Sequence, residues 1–248
     1  MRNGLPPSRP SPRGEGANEK NKKMEIRTKK KKNILLLLIF TCIIFTGLQS
    51  QTVKDADGNI YVAITIGKQV WLGENLKTTK LNDGKPIPLV ADDEKWKSLN
   101  TPAHCWYNND PKNKDISGAL YNWYTVKTEK LCPQGWHVPT EKEWADLAAF
   151  LGDPNTAGDK LKEQGTTHWK NYLSKATNDY DFSGIPGGMR YYTGTFPLEI
   201  GDSFAVWWSA TVYENNQAIM RGLHNQSSRF FNGFEDFRCG YSVRCIKN

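Results

Sequence analysis

The sequence has little of what common catalytic and metal-binding motifs require. Its four histidines are isolated, with no pair at i and i+4, and its five cysteines form no C-x-x-C unit. A structural zinc site is therefore not favoured. There is no G-x-S-x-G elbow, and Gly184, Gly187 and Gly188 are too irregularly spaced for a phosphate-binding loop. The chain thus shows no common motif of a serine hydrolase, a nucleotide-binding protein or a zinc protein.

Long apolar runs are also scarce. The longest, Ile34–Leu48, has 15 residues, whereas a membrane-spanning helix needs roughly 20. The basic run Lys29–Lys32 precedes it and small or polar residues follow it. This order predicts a signal peptide over residues 24–50, with residues 1–23 as an N-terminal extension before a possible start at Met24. An uncleaved membrane anchor is the alternative.

The basic character of the chain is concentrated in this leader. Residues 1–50 hold 11 of the 33 Lys and Arg and 3 of the 26 Asp and Glu, which leaves 22 and 23 in residues 51–248, a net charge of −1. Because no basic excess remains after export, a nucleic-acid partner is not favoured. No transmembrane anchor is expected after signal cleavage.

Four cysteines remain after the leader: Cys105, Cys132, Cys239 and Cys245. An even number in an exported chain predicts disulfides, and the residues alone leave three pairings open. The expected location is therefore the cell surface, the extracellular space or the periplasm.

The clearest local pattern is LCPQGWHVPTEKEW, residues Leu131–Trp144. Thr140 stands at an N-cap position with Glu143 three residues later, which predicts a reciprocal capping box. Apolar residues then follow at helical spacing up to a closing glycine, so we predict a helix over Glu141–Leu151.

The remaining patterns predict an α+β fold in one domain, residues 51–248. Asn59–Gly67 alternates, with its Ile and Val residues on one side, and predicts a half-buried strand with Gln69–Leu72 as hairpin partner. Apolar spacing predicts a helix over Asp115–Val126 and a short one over Ala157–Glu163. Later strands are predicted at Phe204–Tyr213, Ala218–Leu223, Arg229–Phe231 and Tyr241–Ile246. Since strands come first and last, we expect both ends of the domain to meet in one small antiparallel sheet with long loops.

Several blocks along most of the chain, in order, form a recognisable set. The blocks are DADGNIYVAITIGKQVWLGENLKTTKLNDG (Asp55–Gly84), CWYNND (Cys105–Asp110), GALYNWYTV (Gly118–Val126), LCPQGWHVPTEKEW, DKLKEQGTTHWK (Asp159–Lys170), FSGIPGGMR (Phe182–Arg190), WWSAT (Trp207–Thr211) and GYSVRCIKN (Gly240–Asn248). Taken together, they resemble the Fibrobacter succinogenes major paralogous domain. The resemblance implies an exported domain, typical of Bacteroidetes-type bacteria, with a fold akin to C-type lectin-like domains and formylglycine-generating enzymes. It leaves the activity open.

The same resemblance bears on the cysteines and on cofactors. Lectin-like domains tie the first helical region to the last strand, which implies a bridge between Cys132 and Cys245 and leaves Cys105 with Cys239. The triplets of calcium-dependent lectins are absent, so no calcium site is carried over. Formylglycine-generating enzymes bind copper at a closely spaced cysteine pair, but the spacing of Cys239 and Cys245 differs. We therefore predict no cofactor.

The late, aromatic-rich region supplies the candidate ligand residues, because sugar-binding sites stack rings on aromatic side chains among polar groups. The alternative is that most of these aromatics fill the core. The candidates are Tyr191, Tyr192, Trp207, Trp208, Tyr213, Arg221, His224 and Arg229.

The main functional hypothesis is a secreted or cell-surface lectin-like binding module for a polysaccharide or protein, without enzymatic activity. A structural envelope or matrix domain with no specific small ligand is the second hypothesis. An oxidoreductase of the formylglycine-generating type is the third.

Overall fold

The computed structural model describes residues 1, 4, 22–32, 51–170, 175–197 and 203–248. The chain forms two compact units, Met1–Gln49 and Ser50–Asn248. In the first, residues 22–32 are helical and exposed. The apolar run of the predicted signal peptide lies outside the described residues. Within the described ranges, none of the helices combines the length and the apolar character needed to cross a bilayer.

The second unit is a mixed α+β fold with several antiparallel sheets. Its helices are α1 (Asp93–Lys97), α2 (Asn113–Ser117), α3 (Trp123–Val126) and α4 (Glu141–Leu151), with a 3-10 turn at Tyr107–Asn109. Its strands are β1 (Thr52–Lys54), β2 (Ile60–Ile66), β3 (Gln69–Leu72), β4 (His104–Cys105), β5 (Leu120–Tyr121), β6 (Trp136–His137), β7 (Phe204–Glu214), β8 (Gln217–His224), β9 (Ser227–Asp236) and β10 (Ile246–Lys247).

The two ends of the domain meet in one sheet, as the sequence predicted. The five-stranded sheet has the order β1-β2-β3-β10-β6. The last strand lies inside it, with Ile246 opposite both Trp71 of β3 and His137 of β6. A second sheet pairs β4 with β5, and a third has the order β7-β8-β9. Because β10 pairs on both sides, the final residues hold the early and middle parts of the chain together.

Strand β2 forms where predicted, but its buried face at the start is the opposite one. Ile60 and Val62 are exposed, while Tyr61 is fully buried. The Tyr61 hydroxyl donates to the Asp55 carboxylate at 2.7 Å and accepts the backbone N–H of Lys77 at 3.0 Å. Since both hydrogen-bonding capacities of the hydroxyl are used, the tyrosine can be buried in place of its apolar neighbours.

The predicted helix over Asp115–Val126 is wrong. The segment contains α2, then β5, then α3. Gly118 ends α2 with a φ of +82°, and a Cβ there would lie 2.7 Å from the carbonyl oxygen of Leu76. Asn122 then caps α3 by accepting the backbone N–H of Thr125. Of the apolar residues in the pattern, Leu120 and Trp123 are buried as expected, whereas Ile116 is exposed, and the close contact with residue 76 breaks the helix.

The predicted helix over Ala157–Glu163 is also wrong, because this segment is a series of turns. The backbone N–H of Gly158 donates to the carbonyl of Ser228 on β9 at 2.8 Å, so contact with the sheet replaces helical bonds. The predicted strand Tyr241–Ile246 shortens to β10 with single bridges before it, whereas β9 extends well beyond Arg229–Phe231.

Helix α4 packs its apolar face into an aromatic core between the two larger sheets. Trp144 has its ring 4.6 Å from Trp71 of the first sheet and 6.3 Å from Trp207 of the third. Phe182 contacts all three rings edge-on or tilted. All four side chains are fully buried. The predicted capping box at Thr140 and Glu143 is present and fixes the first turn of this helix.

A buried amide joins four parts of the chain. The Oδ1 atom of Asn75 accepts from the Trp207 indole N–H at 2.8 Å and from the Arg244 guanidinium at 2.8 and 3.2 Å. Its Nδ2 donates to the carbonyl of Ser117. Arg244 also donates to the carbonyl of Phe182 at 2.6 Å and lies over the Phe182 ring at 4.2 Å. Burial lowers the pKa of Arg244 to about 9.

The cysteines follow the implied pairing in part. Cys132 and Cys245 form a disulfide that spans 113 residues. The second expected bridge, Cys105 with Cys239, is wrong in this structure: both are free and buried. The two thiols have different surroundings, since Cys105 faces Arg190 and Cys239 faces Glu235. Burial raises the pKa of each thiol to about 12.

Peptide mapping of the unreduced protein should therefore find Cys132 linked to Cys245. Cys105 and Cys239 should resist alkylation at pH 8 in the folded protein and react once it is unfolded, because burial keeps both thiols protonated. The double variant Cys132→Ser/Cys245→Ser should lose roughly 3–5 kcal/mol of unfolding free energy in the chain-entropy treatment of a long loop. A mapped Cys105–Cys239 link would contradict this arrangement.

The capping carboxylate gives a pH-dependent contribution to stability. Burial pushes the pKa of Glu143 up, but hydrogen bonds from the Thr140 backbone and hydroxyl and from His137 outweigh burial and hold the pKa below its ordinary 4.5. The contribution of Glu143 to the free energy of unfolding is therefore complete above the pKa that this carboxyl has in the unfolded chain. It is lost as the pH falls through the lower pKa that the carboxyl has in the folded protein.

Replacing Glu143 with Gln should lower the unfolding free energy by about 1 kcal/mol at pH 7, and the deficit should shrink as the pH falls below the ordinary pKa of 4.5. Asp146→Asn is the matched control, since Asp146 is an exposed carboxylate of the same helix that is paired with the exposed Lys142. Urea unfolding from pH 3 to 7 measures both. An equal deficit for the two variants would show that the cap makes no specific contribution.

Candidate functional site

A wide cleft lies between the C-terminal end of α4 and the strands β8 and β9. Its volume is about 790 Å³, and it is open to solvent. One wall consists of small residues, and the other carries rings and polar groups. The lining residues are Ala148, Ala149, Gly152, Pro154 and Ala157 on the first wall and Phe204, Arg221, His224, Ser227, Arg229, Phe230, Phe231 and Asn232 on the second.

The hairpin formed by β8 and β9 positions most residues of the second wall, which carries the rings and polar groups. Its turn is anchored by the buried Asn225, whose Nδ2 donates to the carbonyl of Lys170 at 2.7 Å and to the hydroxyl of Ser203 at 3.2 Å. Gly222 lies opposite Phe231, and a Cβ on Gly222 would come within 2.4 Å of the Phe231 ring. The absent side chain therefore leaves the space in which this ring packs across the strand.

Three aromatic side chains give the cleft its apolar surface. The Phe204 ring lies 4.3 Å from the His224 ring and 6.3 Å, edge-on, from the Phe231 ring. Phe204 and Phe231 are partly exposed, so part of each ring remains open. Phe230 is buried against Trp144 of α4, with the ring centres 5.8 Å apart. Phe230 thus connects the cleft to the aromatic core, while the rings of Phe204 and Phe231 remain partly open to a ligand.

Arg221 and His224 are held in place on this wall. The Arg221 guanidinium donates to both carboxylate oxygens of Glu141, in the first turn of α4, and lies 5.5 Å from the centre of the Phe230 ring. This bidentate pair joins β8 to the helix that forms the opposite wall. Burial, with a smaller effect from the Lys162 ammonium, holds the pKa of His224 below its ordinary 6.5. His224 is therefore a neutral hydrogen-bonding group at pH 7.

Lys162 lies behind the wall, with its side chain fully buried. Its Nζ donates to the carbonyl of Ser227 at 2.5 Å and lies 3.4 Å from the Asp159 carboxylate. Burial lowers the pKa of Lys162, while Asp159 opposes that effect. The ammonium thus supports the backbone of β9 from the side opposite the solvent.

The eight candidate residues fall into three groups: three line the cleft, two lie in the core, and three are exposed elsewhere. Arg221, His224 and Arg229 line the cleft together. Trp207 and Trp208 are fully buried, and their indole N–H groups donate to Asn75 and to the carbonyl of Tyr121. Their assignment as ligand residues is therefore corrected, since they fill the core.

The three tyrosines are exposed but lie outside the cleft. Tyr213 stacks on Phe234 with ring centres 4.1 Å apart, and the Arg238 guanidinium lies 5.3 Å from the Tyr192 ring. Tyr191 is about one third exposed, at 36%. Sequence reasoning did not identify Phe204 or the small-residue wall of α4. Only the pairing of Phe204 with His224 in the sheet register brings that ring to the site.

Comparison with known proteins places the chain in a family. A family model, the Fibrobacter succinogenes major domain, matches residues 64–247. The match begins within β2 and ends within β10, so it covers most of the second unit. Neither a curated protein nor a solved structure matches the chain. The chain therefore belongs to the Fibrobacter succinogenes major domain family.

Proposed function

We propose that the second unit is a binding module that works outside the cytoplasm and holds a segment of polysaccharide in the cleft between α4 and β9. The observation that supports this most is the composition of the cleft, in which partly open aromatic rings lie beside a fixed set of hydrogen-bonding groups. Ligand sites in proteins usually combine an apolar lining with a few well-placed polar groups.

The chemistry of a sugar ring fits these two kinds of group. A pyranose has an apolar face of C–H bonds, which can pack on the open parts of Phe204 and Phe231, and a rim of hydroxyls. Asn232 is exposed in the lining of the same cleft and has both donor and acceptor atoms. His224, neutral at pH 7, adds another such group. An open cleft also allows a polymer to enter and leave along its length.

A C-type lectin-like arrangement is the finer description of the fold that we propose. In support, the disulfide ties the segment before α4 to the residue before the last strand, and both ends of the domain share a sheet. The cleft also lies in the late part of the chain, which forms the ligand surface in lectin-like folds.

We also propose that the module is exported from the cytoplasm. A disulfide between Cys132 and Cys245 is typical of proteins in oxidising compartments. The order of basic and apolar residues in the leader predicts a signal peptide. We place the module at the cell surface, in the periplasm or in the medium.

Two other functions are less well supported. A structural envelope domain needs no open cleft with partly exposed rings. An oxidoreductase of the formylglycine-generating type would need Cys239 and Cys245 as neighbouring thiolates, but Cys245 is bonded to Cys132. Burial also raises the pKa of Cys239 to about 12, which disfavours a thiolate.

The proposal predicts that a ring in the cleft contributes to binding. Phe231→Leu keeps apolar bulk over Gly222 and removes the aromatic face. We expect its affinity for any polysaccharide that binds the wild type to fall about five- to tenfold, a loss of roughly 1–1.4 kcal/mol. Affinity electrophoresis across a panel of soluble polysaccharides, followed by calorimetry on those that bind, measures the effect.

Tyr192→Leu is the matched control, because it removes an exposed aromatic ring outside the cleft. It should bind as the wild type does, and both variants should keep the wild-type melting temperature within a few degrees. Absence of binding across the panel by folded protein would count against the proposal. So would an equal loss of affinity in the two variants.

A further inference from the structure

The ionisable side chains that line the cleft are all basic. Arg221, His224 and Arg229 lie on the strand wall, and no Asp or Glu is among the described residues that line the cleft. This local composition contrasts with residues 51–248 as a whole, whose net charge is −1. The cleft is therefore a local site of positive potential on a nearly neutral domain.

Arg229 is the charge most available to a ligand. It is exposed on β9, the edge strand of its sheet. Its backbone N–H donates to the hydroxyl of Ser227. Within the part of the chain that the structure describes, its guanidinium has neither a hydrogen bond nor an ion pair. Five N–H donors in a planar fork thus face solvent beside the Phe231 ring, in a form suited to carboxylate or sulfate oxygens.

The other cations near the cleft are partly compensated, but they add to the same potential. Glu141 neutralises much of the charge on Arg221, and Asp159 does the same for the buried Lys162. Counting these five groups, three cations face two carboxylates, and His224 is neutral. Among these five groups, the charge without a partner of opposite sign is that of Arg229. An anion in the cleft would therefore meet one free guanidinium and no opposing carboxylate among the described lining residues.

We infer that the polysaccharide bound here is acidic, with carboxylate or sulfate groups on its sugars. This inference rests on the proposed function and adds the class of ligand to it. One acidic group of the polysaccharide binds the Arg229 guanidinium. The sugar ring that carries this group, or the next sugar ring of the polymer, packs on the side chains of Phe231 and Phe204. A neutral polysaccharide would leave the guanidinium in water and lose this contribution to affinity and selectivity.

The test compares polymers that differ only in charge. Polygalacturonate and its fully methyl-esterified form share a backbone, and dextran sulfate and dextran form a second pair. The full chain is used, and every variant carries the same basic residues at 29–32, so any effect of these is common to all. We expect the wild type to bind at least one acidic polymer about tenfold tighter than its neutral counterpart. Tighter binding of polygalacturonate than of its methyl ester indicates a carboxylate ligand, and tighter binding of dextran sulfate than of dextran indicates a sulfate ligand.

Arg229→Gln should remove most of this preference. Its affinity for the acidic polymer should fall about five- to tenfold, with the neutral polymer and the melting temperature unaffected, because the side chain has no described partner to lose. Lys95→Gln, which removes an exposed charge on α1, is the matched control and should change nothing.

Equal affinity for both members of each pair, with Arg229→Gln unchanged, would overturn the acidic ligand and leave polysaccharide binding intact. No binding of any polymer would overturn both proposals. Binding of polyglutamate as tight as that of polygalacturonate, and insensitive to Phe231→Leu, would replace the glycan with an acidic protein partner.

Discussion

The amide of Asn75 is the contact on which the rest of the domain depends. Its oxygen accepts from Trp207 of β7 and from Arg244, next to the disulfide, while its nitrogen donates to the backbone at Ser117. A buried polar group left unpaired costs roughly 1–3 kcal/mol. Here three donors and acceptors from distant parts of the chain would lose their partner together. These bonds therefore hold β7 and the segment before β10 against the loops at residues 75 and 117.

This constraint also explains why the most conspicuous aromatic residues do not form the site. Trp207 directs its indole N–H to Asn75, and its neighbour Trp208 directs its own to the backbone of Tyr121. With both faces of β7 buried at this point, neither ring reaches solvent. The accessible rings come from the end of the sheet beyond this anchor, where Phe204 and Phe231 meet across β8. A rigid interior thus supports an open rim, which is the usual arrangement of a binding site on a stable scaffold.

The cleft takes its shape from α4. The capping box fixes the first turn of this helix, and Glu141 in the same turn holds Arg221 of β8. At the other end of the helix, alanines and a glycine leave room for the cleft. The same helix therefore anchors one cleft residue with its N-terminal turn and forms a wall with its C-terminal turn. Arg229 and Asn232 are exposed on β9, whereas Phe230 between them is buried.

The sequence was informative wherever a short pattern decides the outcome. The cap at Thr140 and the hairpin of β2 and β3 depend on local chemistry and form as predicted, and so do β7 and β8, whereas β9 extends well beyond the predicted Arg229–Phe231. The failures of the two predicted helices depend on distant contacts. The close contact with Leu76 ends the helix expected around Gly118, and a bond to the carbonyl of Ser228 replaces helical bonds at Gly158. The predicted disulfide between Cys105 and Cys239 does not form, because one thiol lies against Arg190 and the other against Glu235. Three of the eight candidate residues line the cleft. The sequence did not single them out, because the alternation of side chains along a strand does not tell which face of the strand the rest of the protein covers.

The proposed binding of an acidic polysaccharide in the cleft between α4 and β9 can be mapped residue by residue by NMR spectroscopy. The measurement is the change in backbone amide chemical shifts of the isotopically labelled protein on addition of short galacturonate oligomers and, separately, of sulfated oligosaccharides. We expect saturable shifts for one of the two series, concentrated at residues 221–232 and 148–157, with the loop at Tyr191 and Tyr192 unaffected. Shifts concentrated in that loop, or at Tyr213 and Phe234, would contradict a ligand site in this cleft. Absence of shifts with both series, while the spectrum shows a folded protein, would contradict the binding of an acidic polysaccharide.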